Sequence, residues 1–262
     1  SRGLGDVYKR QDKGSEIIKK DNVFNKTKFF PDSKLNYTEN ILKKKSDKLA
    51  INFLSEKGFE ENISWNELYE KVCKFSSYLK KLNLQKGDRV AAYVPNKIES
   101  IVCFLACAKN GIIWSSCSPD FGAQGVVDRF KQIEPKIFIT CDYYYYNGKK
   151  INILDKVEEI LKQIPSIKKV IAFNYNKQER ESLKNFINFE ETLKNDLDDV
   201  FERFEFNHPI YILFSSGTTG KPKCITHGSG NVLIEHNKEF MLHCDIRENE
   251  KLFYYTTTGW MM

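Results

Sequence analysis

The sequence contains no long hydrophobic run, and its first residues carry no apolar core. The most apolar stretch, residues 101–108, is followed at once by Lys109 and Asn110, and it is far shorter than the roughly 18–20 residues that a membrane span requires. The opening segment SRGLGDVYKRQ lacks the apolar centre of a secretory signal. We therefore expect no membrane partner and predict a cytoplasmic protein.

The sequence also lacks paired cysteine motifs and a strong excess of one charge. Its seven cysteines have no CxxC spacing, and most lie in apolar segments, where cysteine behaves as a small hydrophobic residue. This pattern favours reduced thiols over a disulfide framework. The 41 basic and 35 acidic residues give a net charge of only +6, and the lysines are scattered among acidic residues and asparagines. We therefore expect small-molecule partners and no nucleic acid.

Apolar material is abundant enough for a large core. Hydrophobic residues make up 41% and aromatic residues 13% of the 262 residues, which excludes a disordered chain. A chain of this length predicts one large domain or two small ones.

Helical and extended patterns alternate along most of the sequence. Ser64 and Glu67 form a capping box, so a helix begins there and ends before Gly87. Further helices are predicted over about 97–110, 120–134, 151–164, 189–200 and 231–242, and strands over 89–94, 112–115, 136–140, 169–173, 208–214 and 252–255. This alternation indicates βαβ units, so we predict an α/β fold with parallel or mixed sheets flanked by helices.

Composition also suggests how the chain is divided. Residues 1–11 resemble a translated linker more than native sequence, and 12–45 form an N-terminal segment. We predict a first α/β lobe over 46–205, whose polar stretch 174–205 is a surface connection, and the start of a second lobe over 206–262.

The strongest functional motif follows the strand predicted at 208–214. It is SSGTTGKPK, residues 215–223. Glycines let the backbone present consecutive N–H groups to an anion, hydroxyls donate hydrogen bonds to phosphate oxygens, and lysines add positive charge. The motif predicts phosphate binding by Ser215, Ser216, Gly217, Thr218, Thr219, Gly220, Lys221 and Lys223.

The spacing of this loop excludes two other phosphate-binding motifs. A Walker A loop has four residues between its glycines and a hydroxyl after the lysine, whereas here two residues separate the glycines and Pro222 follows Lys221. Residues 224–227 then predict a strand instead of a helix. Gly228 and Gly230 begin a G-x-G pattern, but the last glycine of the dinucleotide fingerprint is missing.

SSGTTGKPK resembles the phosphate-loop signature of the adenylate-forming superfamily, which includes acyl-CoA synthetases, peptide-synthetase adenylation domains and luciferases. Residues 29–40, FFPDSKLNYTEN, resemble the N-terminal segment of acetyl- and acetoacetyl-CoA synthetases. The stretches most similar to the acetoacetyl-CoA synthetases are 114–122, 129–136, 146–149 and 256–262. The resemblance covers about residues 24–262 and implies the partial N-terminal domain of such an enzyme.

The resemblance implies a two-step ligase that uses ATP, CoA and acetoacetate. The acid attacks the α-phosphate of ATP to give an acyl-adenylate and pyrophosphate, and the thiol of CoA then displaces AMP. It implies that the loop 215–223 holds the β- and γ-phosphates and that Trp260, Met261 and Met262 line the acyl pocket and the thiol tunnel. His227, just after the loop, is a further candidate for the acyl pocket.

A weaker set of residues is implied for CoA. Phe121 and Gly122 match a loop near the CoA nucleotide. Some relatives carry an arginine in the segment that here reads Tyr143–Lys149, so Lys149 or Lys150 would have to replace it.

Other parts expected of such enzymes are absent from this sequence. These are the glutamate motif that holds Mg²⁺, the ribose-binding aspartate, the hinge and the C-terminal catalytic lysine. We therefore expect no catalytic residue and no metal ligand in this chain, Mg²⁺ binding elsewhere, and an inactive fragment. Two alternatives stay open at this point, an acetyl-, propionyl- or other short-chain acyl-CoA synthetase and a non-catalytic nucleotide- or CoA-binding module.

Overall fold

A computed structural model describes residues 12, 14–23, 26–179, 183, 185–215 and 220–260. The strands are β1 (Ile18–Lys19), β2 (Lys28–Phe29), β3 (Lys34–Leu35), β4 (Leu49–Leu54), β5 (Glu60–Ser64), β6 (Arg89–Tyr93), β7 (Ile113–Cys117), β8 (Ile137–Cys141), β9 (Tyr143–Tyr146), β10 (Lys149–Asn152), β11 (Lys169–Phe173), β12 (Ile187–Asn188), β13 (Phe204–Glu205), β14 (Pro209–Ser215) and β15 (Lys223–Gly228). The helices are α1 (Tyr37–Ile41), α2 (Trp65–Lys81), α3 (Ile98–Lys109), α4 (Ala123–Phe130), α5 (Leu154–Gln163), α6 (Phe189–Thr192) and α7 (Ser229–Lys238), which continues into a π-helical turn at Glu239–His243.

The main sheet orders its strands β12-β11-β8-β6-β7-β14-β15 within the described ranges. Neighbouring strands from β12 to β14 run parallel, and β15 joins β14 antiparallel. Parallel neighbours need crossover connections, and α3, α4 and α5 lie in the connections β6–β7, β7–β8 and β8–β11. Strands covered on both faces are buried along their whole length, as β7 and β8 are. The predicted α/β fold is confirmed.

Helix α2 shows how local sequence and packing agree. The Ser64 hydroxyl accepts a hydrogen bond from the Glu67 N–H at 3.2 Å, and the Glu67 carboxylate accepts from the Ser64 N–H at 2.7 Å. This is the predicted capping box, and it satisfies two N–H groups at the start of the helix. Leu68, Val72 and Phe75 on its apolar face are buried in the core, and each contributes about 1.5–3 kcal/mol through burial.

Gly111 ends helix α3, as its position in the sequence predicted. Its φ is +66°, a left-handed conformation that favours glycine at a helix C-terminus. A Cβ at this position would lie 2.8 Å from the ring of Phe204 in β13. The glycine therefore allows both the helix end and the close approach of the strand that pairs with β3.

Two of the predicted elements differ in the structure. The helix predicted over 189–200 is limited to α6, after which the chain runs in an irregular path. The strand predicted over 252–255 is wrong, because this segment pairs with no strand of the described part and Phe253 is 85% exposed. An apolar run becomes a strand only where a partner supplies the ladder hydrogen bonds.

Among the described residues, the sequence analysis missed the hairpins β4–β5 and β9–β10 and the short antiparallel pair β1–β2. The β9–β10 hairpin includes the segment Tyr143–Lys149, for which no strand was predicted. Its turn is Asn147-Gly148, with φ of +49° and +72°, and an Asn-Gly pair between strands is a recognised hairpin signal. This signal was therefore available in the sequence.

The main sheet crosses the boundary predicted at residue 205. Strands β6, β7, β8 and β11 belong to the predicted first lobe, and β14 and β15 to the second. The division into two lobes stays a prediction, and the predicted linker 1–11 lies outside the described residues. None of the described helices is long and apolar enough to cross a membrane.

Candidate active site

The predicted phosphate loop lies at the carboxyl edge of the main sheet. It connects β14 to β15, next to the point where β7 ends. Open α/β sheets bind ligands at this edge, where several strands direct their loops to one place. Of the eight loop residues predicted to bind phosphate, the structure describes Ser215, Gly220, Lys221 and Lys223, while Ser216, Gly217, Thr218 and Thr219 lie outside the described residues.

A strand follows the loop, as the sequence predicted. The residues of β15 pair in register with β14, from Ser215 opposite Lys223 to Tyr211 opposite His227. A Walker A loop leads into a helix instead. The hairpin geometry therefore supports the exclusion of that motif.

Hydrogen bonds hold both sides of the loop. The Gln132 side-chain amide donates to the carbonyl of Pro222 at 2.9 Å and to that of Asp128 in α4 at 2.7 Å. On the strand side, the Ser115 hydroxyl donates to the Ile212 carbonyl at 2.7 Å. Helix α4 and strand β7 thus fix the two ends of the loop against the rest of the fold.

Lys221 and Lys223 are exposed at the end of the loop. Neither forms an ion pair with another described residue. Two lysines without acidic partners leave positive charge available to an anionic ligand.

The segment that ends in Trp260 lies across the carboxyl ends of β6 and β7. The Thr258 hydroxyl donates to the Val94 carbonyl at 2.7 Å, the Asn96 amide donates to the Thr256 carbonyl at 2.7 Å, and the Ser116 hydroxyl donates to the Thr258 carbonyl. The structure therefore brings this segment to the same edge as the phosphate loop. Trp260 is 56% exposed, and Met261 and Met262 lie outside the described residues.

Gly259 allows this docking. A Cβ there would lie 3.0 Å from Cα of Cys117 and 3.1 Å from backbone atoms of Ser116 and Ser118. A larger residue would push the segment away from the end of β7, so the glycine sets the position at which Trp260 enters the site.

His227 lies in β15 with its ring 4.9 Å from the ring of Tyr211. Its Nε2 atom is shielded from solvent and has no hydrogen-bond partner among the described residues. Burial lowers the pKa of the imidazole, so the ring is neutral at pH 7 and carries one N–H donor.

The residues predicted for CoA lie beside β6 and β8. The Tyr93 hydroxyl lies 2.8 and 2.7 Å from the carbonyl oxygens of Pro119 and Phe121 and holds their loop. Phe121 packs under the Arg129 guanidinium, 4.4 Å from its ring centroid, and Gly122 is exposed with open space around its Cα.

Lys149 is an exposed residue of β10. Burial and the nearby Asp120 carboxylate raise the pKa of the Tyr144 hydroxyl, so this hairpin lies beside the Phe121 loop. The ammonium of Lys150 lies 3.8 Å above the Tyr143 ring and is thereby directed to the hairpin itself. Of the two lysines, Lys149 thus has the freer side chain for an external anion.

Two residues that hold the site were not predicted. Asn96 follows the turn after β6, and a polar residue after a parallel strand is a signal that could have identified it. Gln132 is 90 residues from Pro222 in the chain, and no sequence pattern relates the two.

The chain is similar in sequence to one protein family and to several known enzymes. The profile of the AMP-binding enzyme family matches residues 38–262. The acetoacetyl-coenzyme A synthetase of Rhizobium meliloti is 44% identical over 241 residues, which cover 90% of this chain and 37% of that protein. The malonamoyl-CoA synthetase of Penicillium aethiopicum is 36% identical over 252 residues, 89% of this chain and 35% of that protein.

A solved structure extends the comparison to the fold. The acetoacetyl-CoA synthetase of Streptomyces lividans superposes with a TM-score of 0.90 at 35% identity. The match covers 96% of this chain and 39% of that protein. The chain thus spans less than two fifths of the length of these relatives.

Proposed function

Because the chain belongs to the AMP-binding enzyme family, we propose that it supports the ATP-dependent activation of acetoacetate and its transfer to CoA. The acid carboxylate attacks the α-phosphate, the bond to pyrophosphate breaks, and an acyl-adenylate forms. The CoA thiol then attacks the acyl carbonyl, loses its proton and releases AMP. Such chemistry depends on positioning and charge neutralisation more than on covalent help from the protein.

The observation that carries this proposal is the position of the loop 215–223. It begins at the carboxyl end of β14 and ends in two exposed lysines without acidic partners among the described residues. We assign to it the β- and γ-phosphates of ATP, whose charge grows on the leaving pyrophosphate as the bond to the α-phosphate breaks. Ser215, Gly220, Lys221 and Lys223 are the described members of this proposed site.

The acyl group is proposed to lie between this loop and Trp260. The docking of residues 256–260 on β6 and β7 supports this assignment. The relatives are named for acetoacetyl and malonamoyl groups, and both acyl groups carry a carbonyl oxygen on their third carbon. This shared feature favours acetoacetate over acetate or propionate.

CoA is proposed to bind beside the Phe121 loop and the β9–β10 hairpin. The Asp120 carboxylate lies close enough to Tyr144 to raise the pKa of its hydroxyl together with burial, and this proximity supports one shared surface. Phe121, Gly122 and Lys149 are its proposed contacts. The thiol would reach the acyl group past Trp260.

The described residues do not fit a Mg²⁺ site. No group of three or more histidine, cysteine, aspartate or glutamate side chains within the described ranges could hold a metal ion. We therefore derive no step from Mg²⁺ in this part of the protein.

The test is acid-dependent exchange of labelled pyrophosphate into ATP. It compares protein expressed from the complete reading frame that encodes this chain with the 262-residue chain alone. We expect exchange with acetoacetate from the former and nucleotide binding without exchange from the latter. Equal exchange with acetate or propionate would favour a general short-chain synthetase, and binding without exchange in both proteins would favour a non-catalytic module.

A further inference from the structure

A strip of the main sheet leads from the phosphate loop to His227. On the face covered by α3, Trp114 pairs with Tyr211 across β7 and β14, and Tyr211 pairs with His227 across β14 and β15. Phe104 of α3 packs on this row, 6.2 Å from both Trp114 and Tyr211. Every second residue of a strand faces the same side. The strip therefore continues toward the loop through alternate residues of β14 and β15.

The strip is only partly covered. Leu213 and Ile225 lie opposite each other, two residues nearer the loop than Tyr211 and His227, and all four are half-buried. His227 lies four residues after Lys223 in β15, a distance of about 13 Å along a strand. A bound acid could therefore extend from the phosphate side of the site over Leu213 and Ile225 toward the imidazole.

Of the three buried or half-buried imidazoles of this region, that of His227 is the one whose buried nitrogen has no partner within the described ranges. His208 Nε2 lies 2.8 Å from the Gly111 carbonyl, and His236 Nδ1 lies 3.0 Å from the Tyr37 hydroxyl. His227 Nε2 is shielded from solvent and has no partner in the part of the chain that the structure describes. Leaving a buried polar atom unpaired is costly, which points to an acceptor that arrives with a ligand.

We propose that His227 determines the acid specificity of this site by donating a hydrogen bond from Nε2 to the carbonyl oxygen on the third carbon of the substrate. This inference rests on the proposed function and adds the chemical feature that the acyl pocket recognises. Burial keeps the imidazole neutral, so binding of a carbonyl oxygen selects the tautomer with the proton on Nε2. A saturated acid such as butyrate has the same chain length and leaves the donor unpaired.

The experiment measures kcat/KM for acetoacetate and for butyrate in pyrophosphate exchange, with protein from the complete reading frame. His227→Phe keeps an aromatic ring against Tyr211 and removes the donor. We expect it to lower kcat/KM for acetoacetate about 10- to 100-fold and to leave that for butyrate within about threefold. The readout is the ratio of kcat/KM for acetoacetate to kcat/KM for butyrate, and not the activity with one acid alone.

Two further variants separate specificity from stability. His227→Gln retains an N–H donor and should keep more of the acetoacetate preference than His227→Phe. His236→Phe removes an imidazole that already has its partner in Tyr37. It should change kcat/KM for the two acids by the same factor.

The possible outcomes distinguish this inference from the proposed function. If the unmodified protein exchanges with none of the short-chain acids, the proposed function fails and the inference fails with it. If exchange with acetoacetate is present but neither His227 variant changes the ratio of the two acids, the inference is wrong and the proposed function stands.

Discussion

At the scale of single residues, Lys221 and Lys223 supply positive charge to the proposed ATP site. Both are exposed, and neither has an acidic partner among the described residues. Their effect on the free energy of unfolding is therefore small, and their charge is available to the ligand. This separation between stability and binding makes them the most direct test of the loop.

We expect Lys221→Ala and Lys223→Ala each to weaken ATP binding about tenfold, because each removes a charge-assisted contact to phosphate. The apparent KM for ATP in pyrophosphate exchange measures this, and the effect should shrink as salt is added. Lys81→Ala, at an exposed site at the end of α2, is the matched control. Equal KM values for all three variants would contradict the assignment of phosphates to this loop.

A buried lysine, in contrast, contributes to stability and not to the proposed binding of ATP. Lys109 at the end of α3 is fully buried, and its ammonium lies 2.7 Å from the Val200 carbonyl and 3.1 Å from the Asp198 carboxylate. Lys80 contacts the same carboxylate at 2.6 Å but from an exposed position. Lys109 therefore ties the irregular stretch after α6 to the helical layer.

We expect Lys109→Met to reduce the free energy of unfolding by about 3 kcal/mol, because removing one partner leaves buried polar groups uncompensated. Lys80→Met should cost less than about 1 kcal/mol, since exposed ion pairs contribute little. Urea unfolding of the two variants measures the difference. Similar losses of unfolding free energy in both variants would show that burial does not determine how much each lysine contributes to stability.

At the scale of elements, the β9–β10 hairpin depends on its turn. Gly148 has a φ of +72°, and a Cβ there would meet no atom within 4 Å, so any cost of a side chain comes from the backbone alone. Gly122 also has open space, but its φ is −68°. The two glycines differ in conformation and not in packing.

We expect Gly148→Ala to reduce the free energy of unfolding by about 1 kcal/mol, because an L-residue is strained in the left-handed region. Gly122→Ala should be neutral or slightly stabilising, since its backbone is already in an ordinary conformation. Thermal unfolding distinguishes them. A loss of CoA affinity in Gly122→Ala without a loss of stability would in addition support the proposed CoA contact.

Glycines elsewhere in the fold serve packing instead of ligands. A Cβ at Gly230 would lie 2.3 Å from the ring of Phe206. The G-x-G pattern at Gly228 and Gly230 is therefore explained by the close contact of the start of α7 with the chain before β14. Packing thus accounts for the two glycines of the incomplete dinucleotide motif.

At the scale of the whole molecule, His208 links the end of α3 to the start of β14. Its Nε2 lies 2.8 Å from the Gly111 carbonyl, and its ring packs 5.0 Å from that of Phe204. Burial lowers the pKa of this imidazole, and the hydrogen bond with Gly111 opposes the shift only in part. The folded state therefore binds a proton less readily than the unfolded state.

This difference gives the molecule a pH-dependent stability. Since the folded pKa lies below the unfolded value of about 6.5, stability is present above that pH and is lost as pH falls from 6.5 toward the folded pKa. We expect the free energy of unfolding of the unmodified protein, relative to His208→Gln, to decrease between pH 7.5 and pH 5. Urea titrations at each pH measure it, and a constant difference would show that His208 does not titrate differently on folding.

Sequence reasoning recovered the elements whose signals are local. The capping box at Ser64, the helix end at Gly111 and the strand after the loop all follow from spacing and residue type, and all are confirmed. It failed where pairing decides the outcome. The apolar residues 252–255 have no ladder partner within the described ranges. The β9–β10 hairpin is a different case, since it was missed although its Asn147-Gly148 turn is a local signal.

The sequence by itself determined the fold class and predicted phosphate binding by the loop 215–223, because hydrophobic periodicity and glycine-hydroxyl-lysine spacing are properties of short segments. The tertiary structure alone decided which distant residues meet. It joined Gln132 to Pro222, Asn96 to Thr256 and the ring of His227 to Tyr211. Strand order and crossover connections set those contacts, and neither is contained in the local pattern of residues that each segment presents.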